Sequence, residues 1–229
     1  MRAEALLLFD IDGTLLSCQG RGVRAMHRAV QRVFERAPAA VEILPGGKTD
    51  PMLFEELAAA YAIALEIFLA RDPEVRAAYV LEFAAELQAT GACETKPGVA
   101  ALLGALGADP GIRLGLVTGN LEPTARLKLA SVALDGYFAG GGFGSDARHR
   151  EELVALARAR CAPHVGPERT WVIGDTPADV ASGRAHGMRT LAVATGSFER
   201  GELEACGADV VLDDLGDTVR VVDILCRGG

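Results

Sequence analysis

The sequence predicts an α/β protein, a parallel sheet with helices on its faces, interrupted by an all-helical insertion. Three features predict it. Apolar runs of strand length end abruptly in reactive residues at 5–9, 112–117 and 170–173. Beyond residue 96, strand and helix patterns alternate, the signature of a parallel sheet. Between residues 17 and 95 the periodicity is almost wholly helical. The expected organisation is an α/β core of residues 1–16 and 96–229 carrying a helical domain of residues 17–95.

Taken in order, Ala5-Leu6-Leu7-Leu8-Phe9 has the unbroken apolar character of a strand covered on both faces. After Leu16 the period changes. Val23, Met26, His27, Val30 and Phe34 recur at three- and four-residue spacing, which makes 20–34 an amphipathic helix. A break follows from Pro38 to Pro45. Gly46-Gly47-Lys48-Thr49-Asp50-Pro51 then turns the chain into another helix, with Thr49 or Asp50 as cap and Pro51 at its first position. Helical text continues through 57–69, breaks at Asp72-Pro73 and resumes over 74–90, until Gly91 and Pro97-Gly98 close the insertion. In the core, helices are expected at 99–106, 123–132, 151–160, up to His186, and from about Thr218. Strands are expected at 112–117, from Tyr137-Phe138 into the glycines that follow, and at 170–173, 190–193 and 209–212.

Half of the residues are hydrophobic, enough for a sizeable core. A net charge of −8 argues against nucleic acid or an anionic membrane as partner. The five cysteines, Cys18, Cys93, Cys161, Cys206 and Cys226, are scattered and odd in number, and read as reduced thiols of a cytoplasmic protein. The first apolar run is too short for a signal peptide, and the run at 57–65 is too short to span a bilayer. His27, His149, His164 and His186 lack metal-ligand spacing and read as ordinary surface or half-buried histidines.

The chemistry sits at strand ends, where open α/β sheets bind ligands. Asp10 and Asp12 stand two apart after the first strand, followed by Gly13, which can turn beneath a ligand, and Thr14. A calcium loop starting at Asp10 would need glycine and glutamate where Leu15 and Arg21 stand, so it fails. Two carboxylates about 4 Å apart repel by roughly 4 kcal/mol at an effective dielectric of about 20, so a proton, a basic group or a divalent cation must offset them. Thr118, with Gly119 and Asn120, ends a second strand as a candidate phosphoryl-oxygen donor, although Asn120 could equally cap the next helix. Asp175 ends a third strand. Asp179 could be no more than the acidic residue of a helix start capped by Thr176, but that leaves Asp175 unexplained. Adjacent strands would bring Asp10 and Asp175 together in an oxygen-rich cage suited to Mg2+.

Asp10-Ile11-Asp12-Gly13-Thr14, Thr118 and Gly174-Asp175-Thr176-Pro177-Ala178-Asp179 together resemble the motifs of the haloacid dehalogenase superfamily, in its phosphatase branch with a helical cap, such as phosphoglycolate phosphatase and β-phosphoglucomutase. The resemblance covers the whole chain and implies a Rossmann-like core with an inserted cap domain. It implies Asp10 as nucleophile, Asp12 as acid and base, and magnesium held by Asp10, the Asp12 carbonyl and Asp175, with Asp179 contributing. The family's usual lysine is missing; Arg150 is the expected substitute and Arg148 the second choice, while Lys128 is expected at the surface. Lys48, Thr49 and Asp50 resemble the cap's substrate loop, but they read equally as a turn and helix cap. The expected substrate is a small phosphate monoester, and the expected assembly a monomer or homodimer. Dehalogenase and phosphonoacetaldehyde hydrolase readings are disfavoured by Asp12, a non-catalytic relative by the retained aspartates, and a mutase is not separated.

Overall fold

The computed structural model describes residues 4–37 and 42–227. Strand β1 (Ala5–Phe9) leads into the short β2 (Leu16–Ser17) and then into four helices, α1 (Arg21–Phe34), α2 (Asp50–Ala60), α3 (Leu65–Ala70) and α4 (Asp72–Thr90). Strand β3 (Glu94–Thr95) returns antiparallel to β2. The remainder alternates: α5 (Val99–Gly107), β4 (Ile112–Thr118), α6 (Glu122–Ser131), β5 (Gly141–Phe143), α7 (Arg150–Cys161), β6 (Thr170–Gly174), α8 (Pro177–Ala185), β7 (Arg189–Val193), α9 (Arg200–Ala205), β8 (Val210–Leu212) and α10 (Thr218–Arg227). Among the described residues, six strands form one parallel sheet in the order β5-β4-β1-β6-β7-β8. This is the α/β class that the strand–helix alternation predicts.

β1 lies at the centre, between β4 and β6, and its alternation explains its all-apolar sequence. Leu7 and Phe9 face a core shared with α5, α6, α10 and the inserted helices, while Leu6 and Leu8 face α7. The inserted helices pack around Phe54, Phe68, Tyr79 and Phe83, all fully buried. Arg28 of α1 spans Glu82 and Glu86 of α4, and Arg21 donates to the carbonyls of Gly91 and Ala92 at 2.8 and 2.9 Å. The start of α1 is thereby tied to the segment that leaves α4.

The structure corrects several expectations. The helix expected over 57–69 is split, with α2 ending at Ala60 and α3 starting at Leu65. The break expected at 38–45 is seen from residue 42 onward, its first part lying outside the described residues. Tyr137 belongs to a 3-10 turn, and the strand forms only at Gly141–Phe143. Glycine decides the place: a Cβ on Gly141 would stand 2.4 Å from the Leu116 carbonyl oxygen, and one on Gly142 2.1 Å from that of Leu153. Helix α9 had no counterpart in the sequence reading.

The reduced-thiol expectation fails for two cysteines. Cys18 and Cys93 form a disulfide with Cα atoms 4.6 Å apart. Ser17 pairs with Glu94, so the next position along β2 and the preceding one along β3 face each other. Cys161, Cys206 and Cys226 are not in disulfides.

Candidate active site

The central strands deliver three side chains to one edge of the sheet. Asp10 follows β1 directly, its N–H donating to the Ile173 carbonyl at 2.8 Å, so the β1–β6 ladder carries it to the sheet's rim. Thr118 ends β4 on one side, and Asp175 follows β6 on the other. All three are buried. The chain after Asp10 must turn tightly under Asp175. Gly13, at φ 88°, makes that turn, and a Cβ there would lie 2.3 Å from Asp175 Oδ2.

Asp179 reaches the site because Thr176 and Asp179 cap α8 reciprocally, Thr176 N–H donating to Asp179 Oδ2 at 3.1 Å. The capping role and the site role coexist, since the other oxygen, Oδ1, points into the cluster. Arg150, the first residue of α7, puts Nη2 2.7 Å from Asp10 Oδ1 and 2.5 Å from Asp179 Oδ1. It is not on a solvated face. Burial opposes its charge, but Asp10 and Asp179 outweigh that and raise its pKa. Burial likewise raises Asp10, with Arg150 pulling the other way, and raises Asp175, whose neighbours Asp10 and Asp179 add to the effect. Thr14 donates to Asp175 Oδ1 at 3.0 Å. Arg148, the second choice for this role, is exposed and pairs with Glu55 at 2.5 Å.

Asp10, Asp175 and Asp179 each offer an oxygen, all within 4.8 Å of one another. Asp179 Oδ1 is ion-paired with Arg150 but has no hydrogen-bond partner. Three carboxylates against one guanidinium leave two negative charges, and buried hard oxygens suit a divalent cation such as magnesium. The donor set therefore fits the metal. The side chain of Asp12 lies outside this trio. Its Oδ2 accepts from Asn120 Nδ2 at 2.7 Å and from Lys128 Nζ at 2.5 Å.

Lys128 corrects the surface expectation: it is 4% exposed, and Nζ also donates to Asn120 Oδ1. Asn120 in turn donates to Thr118 Oγ1 at 2.8 Å, linking the residues at the end of β4 to Asp12. The ammonium also lies 5.8 Å from the Phe83 ring centroid of α4. The available signal was its register, seven after Leu121 and three after Ala125, within the apolar stripe of α6. Asp50 was read only as part of a loop or cap. It is buried, accepts the Leu121 N–H at 2.8 Å, and is pushed up to about 7 by burial, against the pull of Lys128. Gly196, in the loop three residues past β7, had no sequence signal, yet a Cβ there would fall 1.7 Å from Asp175 Oδ2.

The 46–50 loop docks the helical insertion onto the sheet edge. Asp50 N–H donates to the Gly119 carbonyl at 2.7 Å, a Cβ on Gly119 would meet the Lys48 carbonyl at 2.3 Å, and one on Gly47 would meet Ala178 at 2.7 Å. Thr49, expected at the substrate, is buried with its hydroxyl donating to the Arg148 carbonyl and does not line the cavity. Lys48 does line it, paired with Glu56 at 2.7 Å. Between the insertion and the sheet edge lies a cavity of about 540 Å³, walled by Asp10, Asp12, Thr118, Lys128, Arg150 and Asp175 on the sheet side. Gly119 and Asn120 line it too.

Residues 7–184 match the family model of haloacid dehalogenase-like hydrolases. The chain belongs to this family. It is 28% identical over 194 residues to the tyrosine-protein kinase PtkA of Mycobacterium tuberculosis, covering 83% of this chain and 62% of that one. It is 34% identical over 125 residues to a phosphoglycolate phosphatase of Rhodospirillum rubrum, covering 53% of this chain and 51% of that one. The chain thus spans between half and two thirds of the length of these curated relatives. Its fold matches that of a β-phosphoglucomutase-like protein from Thermotoga maritima, at a TM-score of 0.62, 20% identity and coverage of 96% and 98%. By family the chain is a haloacid dehalogenase-like hydrolase, and a phosphatase stands among the curated relatives it matches.

Proposed function

We propose that this hydrolase is a magnesium-dependent phosphatase that cleaves small phosphate monoesters through an aspartyl-phosphate on Asp10. The observation that carries the reading is Asp10 itself, at the sheet's central rim, held by Arg150 beside Asp175 and Asp179. An Asp10 oxygen attacks phosphorus, and the ester P–O bond breaks. Asp12, oriented by Asn120 and Lys128, gives its proton to the leaving oxygen. Asp12 then takes a proton from the water that hydrolyses the acyl phosphate, releasing phosphate and restoring Asp10. Arg150 and Thr118 hold the phosphoryl oxygens. Magnesium bound by Asp10, Asp175, Asp179 and the Asp12 carbonyl would neutralise charge on the transferring group.

The inserted helices, residues 17–95, act in this reading as a cap that excludes bulk water and bounds the substrate to what about 540 Å³ admits. Phosphate release from a panel of small monoesters, with and without magnesium, tests it. Asp10→Asn should lower turnover by at least about a thousandfold, and rapid quenching of the native enzyme should trap phosphate on the peptide carrying Asp10. Undiminished turnover in Asp10→Asn would falsify the reading. A mutase would isomerise its substrate without net release.

A further inference from the structure

The cavity's two halves differ in chemistry. The sheet side is charged, whereas the wall that the insertion presents is apolar over Val23 and Met26 of α1, Ile43, Leu53 of α2 and Tyr79 of α4, with Gln19, Lys48 and Asp50 as polar groups at its margins. Met26, Leu53, Ile43 and Tyr79 are buried, although they border open space. Cations beyond Arg150 are committed. Lys128 is bound to Asp12 and Asn120, and Lys48, which lines the cavity, is paired with Glu56, which does not. Among the described residues the lining holds no other Lys or Arg. A second anionic group on a substrate would face Asp12 and Asp50, and could take Lys128 only by stripping the partner from a carboxylate. The pair of Lys48 with Glu56 is half-exposed and weak, but using it would leave Glu56 unpaired at the rim.

We infer that the physiological substrate carries a single phosphate on an uncharged, largely apolar organic group, which lies against Met26, Ile43 and Leu53. The inference rests on the phosphatase reading of this site and narrows its substrate class. It disfavours phosphorylated carboxylic acids and diphosphates.

Two measurements on the full chain with magnesium test it separately from turnover. The first compares kcat/KM for ethyl, butyl and hexyl phosphate with that for 2-phosphoglycolate and pyrophosphate. The three alkyl alcohols leave with similar difficulty, so the alkyl series reads burial alone. Each added methylene should raise kcat/KM about fourfold, the factor that corresponds to roughly 0.8 kcal/mol per buried CH₂, and phosphoglycolate should fall at least about tenfold below ethyl phosphate. The second titrates the same alkyl groups as non-hydrolysable phosphonates by calorimetry, against phosphonoacetate. It should show the same fourfold steps in Kd. Leu53→Arg, or Met26→Arg should the first fail to fold, should flatten the alkyl series and improve phosphonoacetate. A flat alkyl series in both measurements, or phosphoglycolate or phosphonoacetate equal to or better than its ethyl counterpart, overturns the inference. Failure to hydrolyse any ester while the phosphonate steps persist overturns the phosphatase reading and leaves the pocket assignment standing.

Discussion

Asp50 shows how one buried carboxyl carries a measurable load. Its pKa is pushed up to about 7, chiefly by burial, whereas in the unfolded chain it sits near the ordinary aspartate value of about 3.9. The folded state thus binds this proton more tightly than the unfolded state. Its contribution is fully present below about pH 4 and is lost as pH climbs through about 7, on the order of 4 kcal/mol. Asp50→Asn keeps an oxygen for the Leu121 N–H and should flatten the fall of Tm between pH 4.5 and 8; an unchanged slope would refute this role. Single residues also mark how far the sequence could be read. Asp10 and Asp175 were legible because a carboxylate closing an apolar run has few structural uses, whereas Asp179 read equally as part of a helix cap and entered only through the family resemblance. Lys128 was not, because its burial depends on Asp12 and Asn120 lying over α6, a contact more than a hundred residues long in sequence.

At the scale of elements, the strands were legible from their apolar runs, and the connections were less so. The helix expected at 57–69 failed because Ala62, at φ 52°, interrupts it without a glycine or proline to announce the break. β5 begins four residues later than expected, since Tyr137 and Phe138 have the stronger strand propensity, while packing room selects the glycines. The 46–50 loop presses on the start of α6 through Gly119. Gly119→Ala would force its Cβ to 2.3 Å from the Lys48 carbonyl. That substitution should push the loop off the sheet edge and raise KM several-fold more than it lowers kcat, as steady-state kinetics can check. An equal loss in both would instead point to damage at Thr118.

For the molecule as a whole, the parallel α/β class and the helical run over 17–95 could be read from periodicity, but the order of strands in the sheet and the covalent link between Cys18 and Cys93 could not. The two cysteines are 75 residues apart, and the strands that align them are two residues long each. In the chain-entropy account a loop of that length stabilises by about 4 kcal/mol, less any strain. Reductant, or Cys18→Ser, should therefore lower the urea midpoint of unfolding, and coincident curves would show that the bridge adds nothing.

The same bond changes how the inserted helices can move. Both crossings between the sheet and the helices run side by side, stapled by sulfur and clasped by Arg21 on Gly91 and Ala92. Two independent tethers would let the upper body twist and slide. Fused into one band, they would confine any movement of the helices against the sheet to a single easy direction, a nod toward or away from Asp10, which would bring the same apolar wall back to the same carboxylate.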